Sequence, residues 1–241
     1  MKALTISLLV LIYSQIAQGK NLVIGVENID YYPISSIKSG QYTGYARDLL
    51  DQFAKDYHHT LTYRALPIVR LYDEFIEQEV DLKFPDNPNW GSTVKKDTQI
   101  SYSQSALSYT EGVVVLTDKL GQSKPKTIGI VRGFTPHAIM EDVDQGKLKI
   151  KEFNSLRNLV KVFVNRNDID GMYFNVAIMK YTIKSLEIDE DMIAYDPAIP
   201  HIDGDYFLSS ITHTDIIKQF DDFLQKNASL VQKLKEKYGL N

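Results

Sequence analysis

Apolar residues recur along this chain in two alternating periods. Residues 22–26, Leu-Val-Ile-Gly-Val, form a short β-branched run of the kind that makes a buried parallel strand. From Tyr45 the period changes. Ala46, Leu49, Leu50, Phe53, Ala54 and Tyr57 fall at helical spacing and predict a helix with one apolar face. Residues 61–66 alternate as a second strand would. Residues 71–80 read as a second amphipathic helix, with Leu71, Tyr72, Phe75, Ile76 and Val80 inward, and residues 81–84 as a third strand. Strands alternating with helices predict a parallel sheet with right-handed crossovers.

Residues 112–117, Gly-Val-Val-Val-Leu-Thr, are a further apolar strand, followed by a polar connector at 118–126. A second β/α series then begins. Residues 127–131 read as a strand. Thr135 is placed to cap a helix with Pro136 in its first position, where the missing N–H costs little. A strand at 148–153, a helix marked by Leu156, Leu159, Val160, Phe163 and Val164, a strand at 170–174 and a helix at 176–185 follow. The tail holds short strands at 192–195 and 206–211 and helices at 215–225 and 229–238. It is too small to fold alone, and the simplest arrangement returns it to the first unit. The expected fold is therefore α/β with two lobes, each a mostly parallel sheet flanked by helices. Lobe one takes residues 20–118 and 196–241 and lobe two takes 119–195, with crossing segments near 113–120 and 192–198.

The first nineteen residues break this pattern. Lys2, an apolar stretch over roughly residues 3–12, and Ala17-Gln18-Gly19 have the layout of a secretory signal peptide cut after Gly19. The apolar part is shorter than the ~20 residues that span a bilayer. The chain has no cysteine, which excludes disulfides, thiolate metal sites, a cysteine nucleophile and a lipid-modified N-terminal cysteine. Export without that anchor points to a Gram-negative periplasm. The net charge of −4 argues against nucleic acid or an anionic membrane as the main partner.

Ligands of open α/β sheets bind beyond the carboxyl ends of strands. In lobe one that rule selects Tyr31 and Tyr32, which precede Pro33, and the loop after the third strand, which holds Asp86, Asn87, Trp90, Thr93 and a lysine pair. In lobe two it selects the turn Arg132-Gly133-Phe134-Thr135, with Arg132 and Thr135 as its candidate contacts, and Asn175. Prolines 85 and 88 would stiffen the loop, the aromatic residues would give stacking area, and Lys95 or Lys96 a cation. Backbone N–H groups at the start of the Pro136 helix would accept an anion. For catalysis the candidate acids and bases are Asp86, His137 and His201, but none sits in a catalytic motif. The five histidines show no metal-ligand spacing. No catalytic residue, metal or cofactor is expected.

Taken in order, these segments resemble the type II periplasmic solute-binding proteins, and within them the family 3 proteins that usually serve amino-acid ABC transporters. The resemblance covers nearly all of the chain after residue 19. It is carried by LVIGVE with Tyr31-Tyr32-Pro33, GYARDLL at 44–50, VDLKF, the strand at 100–103, GIVRGFT, DIDGMYFN and the terminal QKLKEKYGL. It implies a monomer that closes about a hinge on a small polar solute, amino-acid-like or another small organic molecule. The partner would be the permease of an ABC transporter or a sensor's periplasmic domain. Some proteins resembling this family are dehydratases or lyases. The family's Thr-x-x-Arg carboxylate clamp reads Thr93-Val94-Lys95-Lys96 here, and its ammonium-binding aspartate reads Asn175. Those departures point away from a standard α-amino acid, towards another small polar or anionic solute.

Overall fold

The computed structural model describes residues 19–121, 124–166 and 168–240. The expected leader lies outside them except for Gly19. No helix among the described residues is long and apolar enough to cross a membrane.

The chain opens with β1 (Asn21–Glu27), then a small hairpin of β2 (Ser36–Lys38) and β3 (Gln41–Thr43) that the apolar pattern does not announce. Its turn residues Ser39 and Gly40 both have positive φ, as a tight two-residue hairpin requires. Next come α1 (Tyr45–Asp56), β4 (Thr60–Leu66), α2 (Ile68–Ile76), β5 (Leu82–Asp86), the single turn α3 (Ser92–Lys95) and β6 (Ser101–Tyr102). Gly44 precedes α1 with φ 112°, and a Cβ there would lie 2.6 Å from the Ile34 carbonyl oxygen, so only glycine starts this helix.

The long strand β7 (Leu107–Leu116) leads into β8 (Thr127–Val131), α4 (Met140–Asp144), β9 (Lys149–Phe153), α5 (Leu156–Asn165), β10 (Gly171–Asn175) and α6 (Val176–Ser185). The return runs through β11 (Ile193–Tyr195), β12 (Ile202–Ser210), α7 (Thr214–Lys226) and α8 (Ala228–Tyr238). α8 docks on α1, where Lys237 Nζ and the Tyr238 hydroxyl meet Asp48 Oδ2 at 2.6 and 2.8 Å.

The main sheet has the order β4-β1-β5-β12-β7-β10-β8-β9. β4, β1 and β5 are parallel at one end, and β10, β8 and β9 are parallel at the other. Between them β12 and β7 run antiparallel to each other and to their outer neighbours. Residues 107–111 of β7 pair with 202–206 of β12, after which each strand changes partner: β7 passes to β10, and β12 to β5. The link between the two parallel groups thus lies earlier in β7 and later towards the C-terminus than the expected 113–120 and 192–198. Segment 107–111 mixes serine, threonine and glutamate with its apolar residues, so it does not read as a core strand. β11 pairs back on β7 at 114–116 instead of crossing.

Strands of the second group are apolar on both faces because both are covered. Val113, Val115, Ile128, Ile130 and Tyr173 belong to one cluster, whereas Val114, Met172 and Phe174 join a larger one with Leu159 and Ile178. One helix start differs from the sequence expectation. Thr135 does not cap a helix at Pro136. Pro136 has φ −81°, ψ 70°, and the His137 N–H donates to the Thr135 carbonyl at 2.9 Å, which is an inverse γ-turn. A 3₁₀ turn and the five-residue α4 follow, so no long helix dipole points from this position.

Candidate functional site

The C-terminal tips of β1 and β5 and the loop after β8 enclose a cavity of about 380 Å³, within the usual range for small-ligand sites. Five aromatic side chains line it: Tyr31, Tyr72, Trp90, Phe134 and Tyr206. They come from the loops after β1, β5 and β8, from α2 and from β12. Tyr31 stacks on Phe134 with centroids 5.6 Å apart and planes 9° from parallel. Trp90 meets Tyr206 edge-on at 5.7 Å, and Tyr206 stacks on Tyr109 at 4.5 Å. Two carboxyl groups share the wall, Glu27 at the end of β1 and Glu111 in β7.

Local sequence explains how the loop after β5 presents Trp90. Asn87 folds back so that its Oδ1 accepts from the Asn89 N–H at 2.9 Å, while its Nδ2 donates to the Asp205 carbonyl at 2.9 Å. Gly91 takes the left-handed conformation (φ 59°), and a Cβ there would lie 2.8 Å from the Tyr72 ring. The glycine therefore lets the loop lie flat on Tyr72 beside Trp90.

Beneath this wall sits a buried charge cluster. Lys83 and Asp86 are fully buried and Lys95 is 6% exposed. Asp86 Oδ1 accepts from Lys95 Nζ at 2.6 Å and from Lys83 Nζ at 3.1 Å, and Oδ2 accepts from the Ser209 hydroxyl at 2.6 Å. Lys83 also donates to the Pro85 carbonyl at 2.8 Å and Lys95 to the Asn87 carbonyl at 3.0 Å. Burial pushes the Asp86 carboxyl up, but the two ammonium groups outweigh it and hold it below its ordinary value. Both lysines lie against the Tyr72 ring, at 4.7 and 5.4 Å.

The two cavity carboxyls behave in the opposite sense. Burial raises Glu27, with Lys83 pulling it down and Asp86 pushing it up. Burial raises Glu111 too, to about 7, reinforced by the charge of Glu27 and opposed by the nearby Tyr31 hydroxyl. Glu111 stands where β7 changes partner, paired with Ile202 of β12 on one side and Asn175 of β10 on the other.

Of the ten residues selected from sequence, Tyr31, Trp90, Thr93 and Thr135 line this one cavity. The others stand elsewhere. Lys95 and Asp86 are locked in the buried cluster, so Lys95 does not offer a free cation, and Lys96 is exposed. Asn87 is buried in its loop. Asn175 caps α6 by accepting from the Ile178 N–H at 3.2 Å, and its Nδ2 donates to the Tyr206 hydroxyl at 3.2 Å. Tyr32 packs on Tyr181 at 4.6 Å, and exposed Arg132 pairs with Glu152 at 3.3 Å; both border a neighbouring cavity. His137 lines the aromatic cavity, whereas His201 Nδ1 lies 3.3 Å from the Ile199 carbonyl. Among the described residues, no group of three or more His, Asp or Glu could hold a metal ion.

No family model matches the sequence, and no curated protein matches it. Solved structures do. An ancestral arginine-binding protein bound to arginine superposes with a TM-score of 0.69 at 15% identity, covering 92% of this chain and 99% of that one. The substrate-binding protein of an amino acid ABC transporter gives 0.67 at 19% identity, covering 90% and 98%. A histidine kinase sensor domain with similarity to periplasmic binding proteins gives 0.67 at 13% identity, covering 90% and 95%. The fold is that of the type II periplasmic binding proteins.

Within this periplasmic-binding-protein fold, the cavity residues that sequence reasoning missed include Glu27, Tyr72, Glu111 and Tyr206, whereas Phe134 lies within the 132–135 segment it selected. Glu27 ends the first strand, whose tip the strand-tip rule selected, so that rule could have found it. Tyr72 reads as an inward-facing helix residue. Glu111 and Tyr206 belong to the bridging strands, whose mixed polarity hides them.

Proposed function

We propose that the protein is a periplasmic solute-binding protein that captures a small polar organic molecule between two lobes and presents it to the permease of an ABC transporter. The observation that carries this reading is the aromatic cavity itself, whose walls come from both parallel groups of strands. The hinge of this reading runs through the paired segments 107–111 and 202–206, so the lobes divide there and residues 112–118 go with the second group of strands. Ligand favours closure through contacts made with both walls at once, added to the Tyr31–Phe134 stack that already joins them. Export through a leader cut after Gly19 places the protein in the periplasm. Binding without turnover is the proposed activity.

A second reading differs only in the partner. The likeness to a histidine kinase sensor domain supports a closed form read by a membrane sensor.

The test is to denature purified protein, identify released small molecules by mass spectrometry, and return the compound to ligand-free protein. The expected result is stoichiometric binding, compaction in small-angle scattering and recovery of the compound unchanged. Unchanged scattering at saturation would reject hinge closure, and a compound of altered mass would replace binding by catalysis.

A further inference from the structure

We propose that the ligand is a small organic cation with an apolar body and no carboxylate, its charged nitrogen facing Glu111 and Glu27 among the aromatic rings. This deepens the solute-binding reading and rests on it.

None of the cavity's lining residues is a lysine or an arginine. Lys83 and Lys95, which lie against the Tyr72 ring, are both held on Asp86, at 3.1 and 2.6 Å. A ligand carboxylate or phosphate would therefore enter a half-enclosed space beside two glutamates with no lysine or arginine on its lining to meet it. That costs desolvation and adds repulsion.

The balance of charges points the same way. Asp86, Glu27 and Glu111 oppose Lys83 and Lys95, leaving one negative charge when all are ionised. A monocation cancels it. Without ligand a proton can do so, and Glu111, raised to about 7, is the group ready to take it. A neutral solute cancels nothing.

The walls suit such a ligand. Tyr31, Tyr72, Trp90, Phe134 and Tyr206 present rings around the two carboxyls, and ring faces attract cations, most strongly where water is excluded. The stacked Tyr31–Phe134 pair brings a ring from each side of the cavity together.

The experiment uses pairs in which only one member carries a carboxylate: isobutylamine and valine, phenethylamine and phenylalanine, choline and glycine betaine. Glucose serves as a neutral probe. Thermal shift at pH 8 is followed by calorimetry. The expected result is stabilisation by the cationic member of at least one pair at about 1 mM, with its carboxylated partner roughly tenfold weaker or more. Glu111→Gln should weaken the cation roughly 30-fold, and Glu111→Asp should retain most of the binding. Circular dichroism of both variants checks that they fold. The proposal is overturned if the carboxylated members or glucose bind as well as the amines, if no amine binds, or if folded Glu111→Gln binds amines like the parent. Recovery of an anionic or neutral compound that still compacts the protein would reject the cation and leave solute binding standing. Failure of every compound, the recovered one included, to compact it would reject both.

Discussion

Tyr31 and Phe134 stack 5.6 Å apart across the cavity, one following β1 and the other following β8. The contact joins the two walls directly. Phe134→Ala removes it, together with the 4.9 Å contact of Phe134 on the buried Phe174 of β10. The expected outcome is a larger radius of gyration in the absence of ligand, with a loss of about 1 kcal/mol of unliganded stability. Small-angle scattering and urea unfolding measure the two effects. An unchanged radius would mean that the stack does not hold the walls together.

Lys95 separates a structural lysine from a ligand clamp. Removing one partner of a buried ion pair leaves an uncompensated charge, at a cost of about 3–5 kcal/mol. Lys83 remains beside Asp86 and holds the loss towards the lower figure. Lys95→Met is therefore expected to destabilise the unliganded protein strongly in denaturant titration. A variant of parental stability that had lost binding would instead return Lys95 to the ligand.

The raised Glu111 carboxyl makes stability depend on pH. Its folded value, about 7, lies above the ordinary 4.5, so the folded state holds the proton more tightly. The unliganded protein's stability should fall as pH rises between those values, by about 3 kcal/mol at most. Glu27, raised by burial, acts in the same direction. The groups around Glu111 are Glu27, Tyr31, Tyr109, Tyr173 and Tyr206, with His137 on the same cavity, so no permanent cation among them reverses the sign. Glu111→Gln should flatten the profile and be more stable than the parent at pH 8, as read by melting temperature across pH 5–8. A parallel profile in the variant would remove Glu111 as the source.

The fold was legible because its outer strands and helices carry clean periods. Residues 22–26 and 127–131 are apolar runs, and 176–185 is bounded by a capping Asn175 that a reader can find. The strand-tip rule likewise leads to Trp90 and Tyr31. The bridging strands were harder to read, because 107–111 and 202–206 lie between two groups and mix polar with apolar residues. Lys95 fails for another reason. A lysine's position along the chain does not say which way its long stem turns. The deciding partner, Asp86, is separated from it by Trp90 and a left-handed Gly91.

β7 and β12 pair with each other and then part, β7 to β10 and β12 to β5, so together they join the two parallel groups of strands. Cutting the protein between those groups would leave a bare strand edge on either fragment. Such an edge exposes a row of unpaired peptide groups and templates aggregation. The two halves are thus obligate companions: neither is a free-standing module, and each guards the other's most vulnerable border.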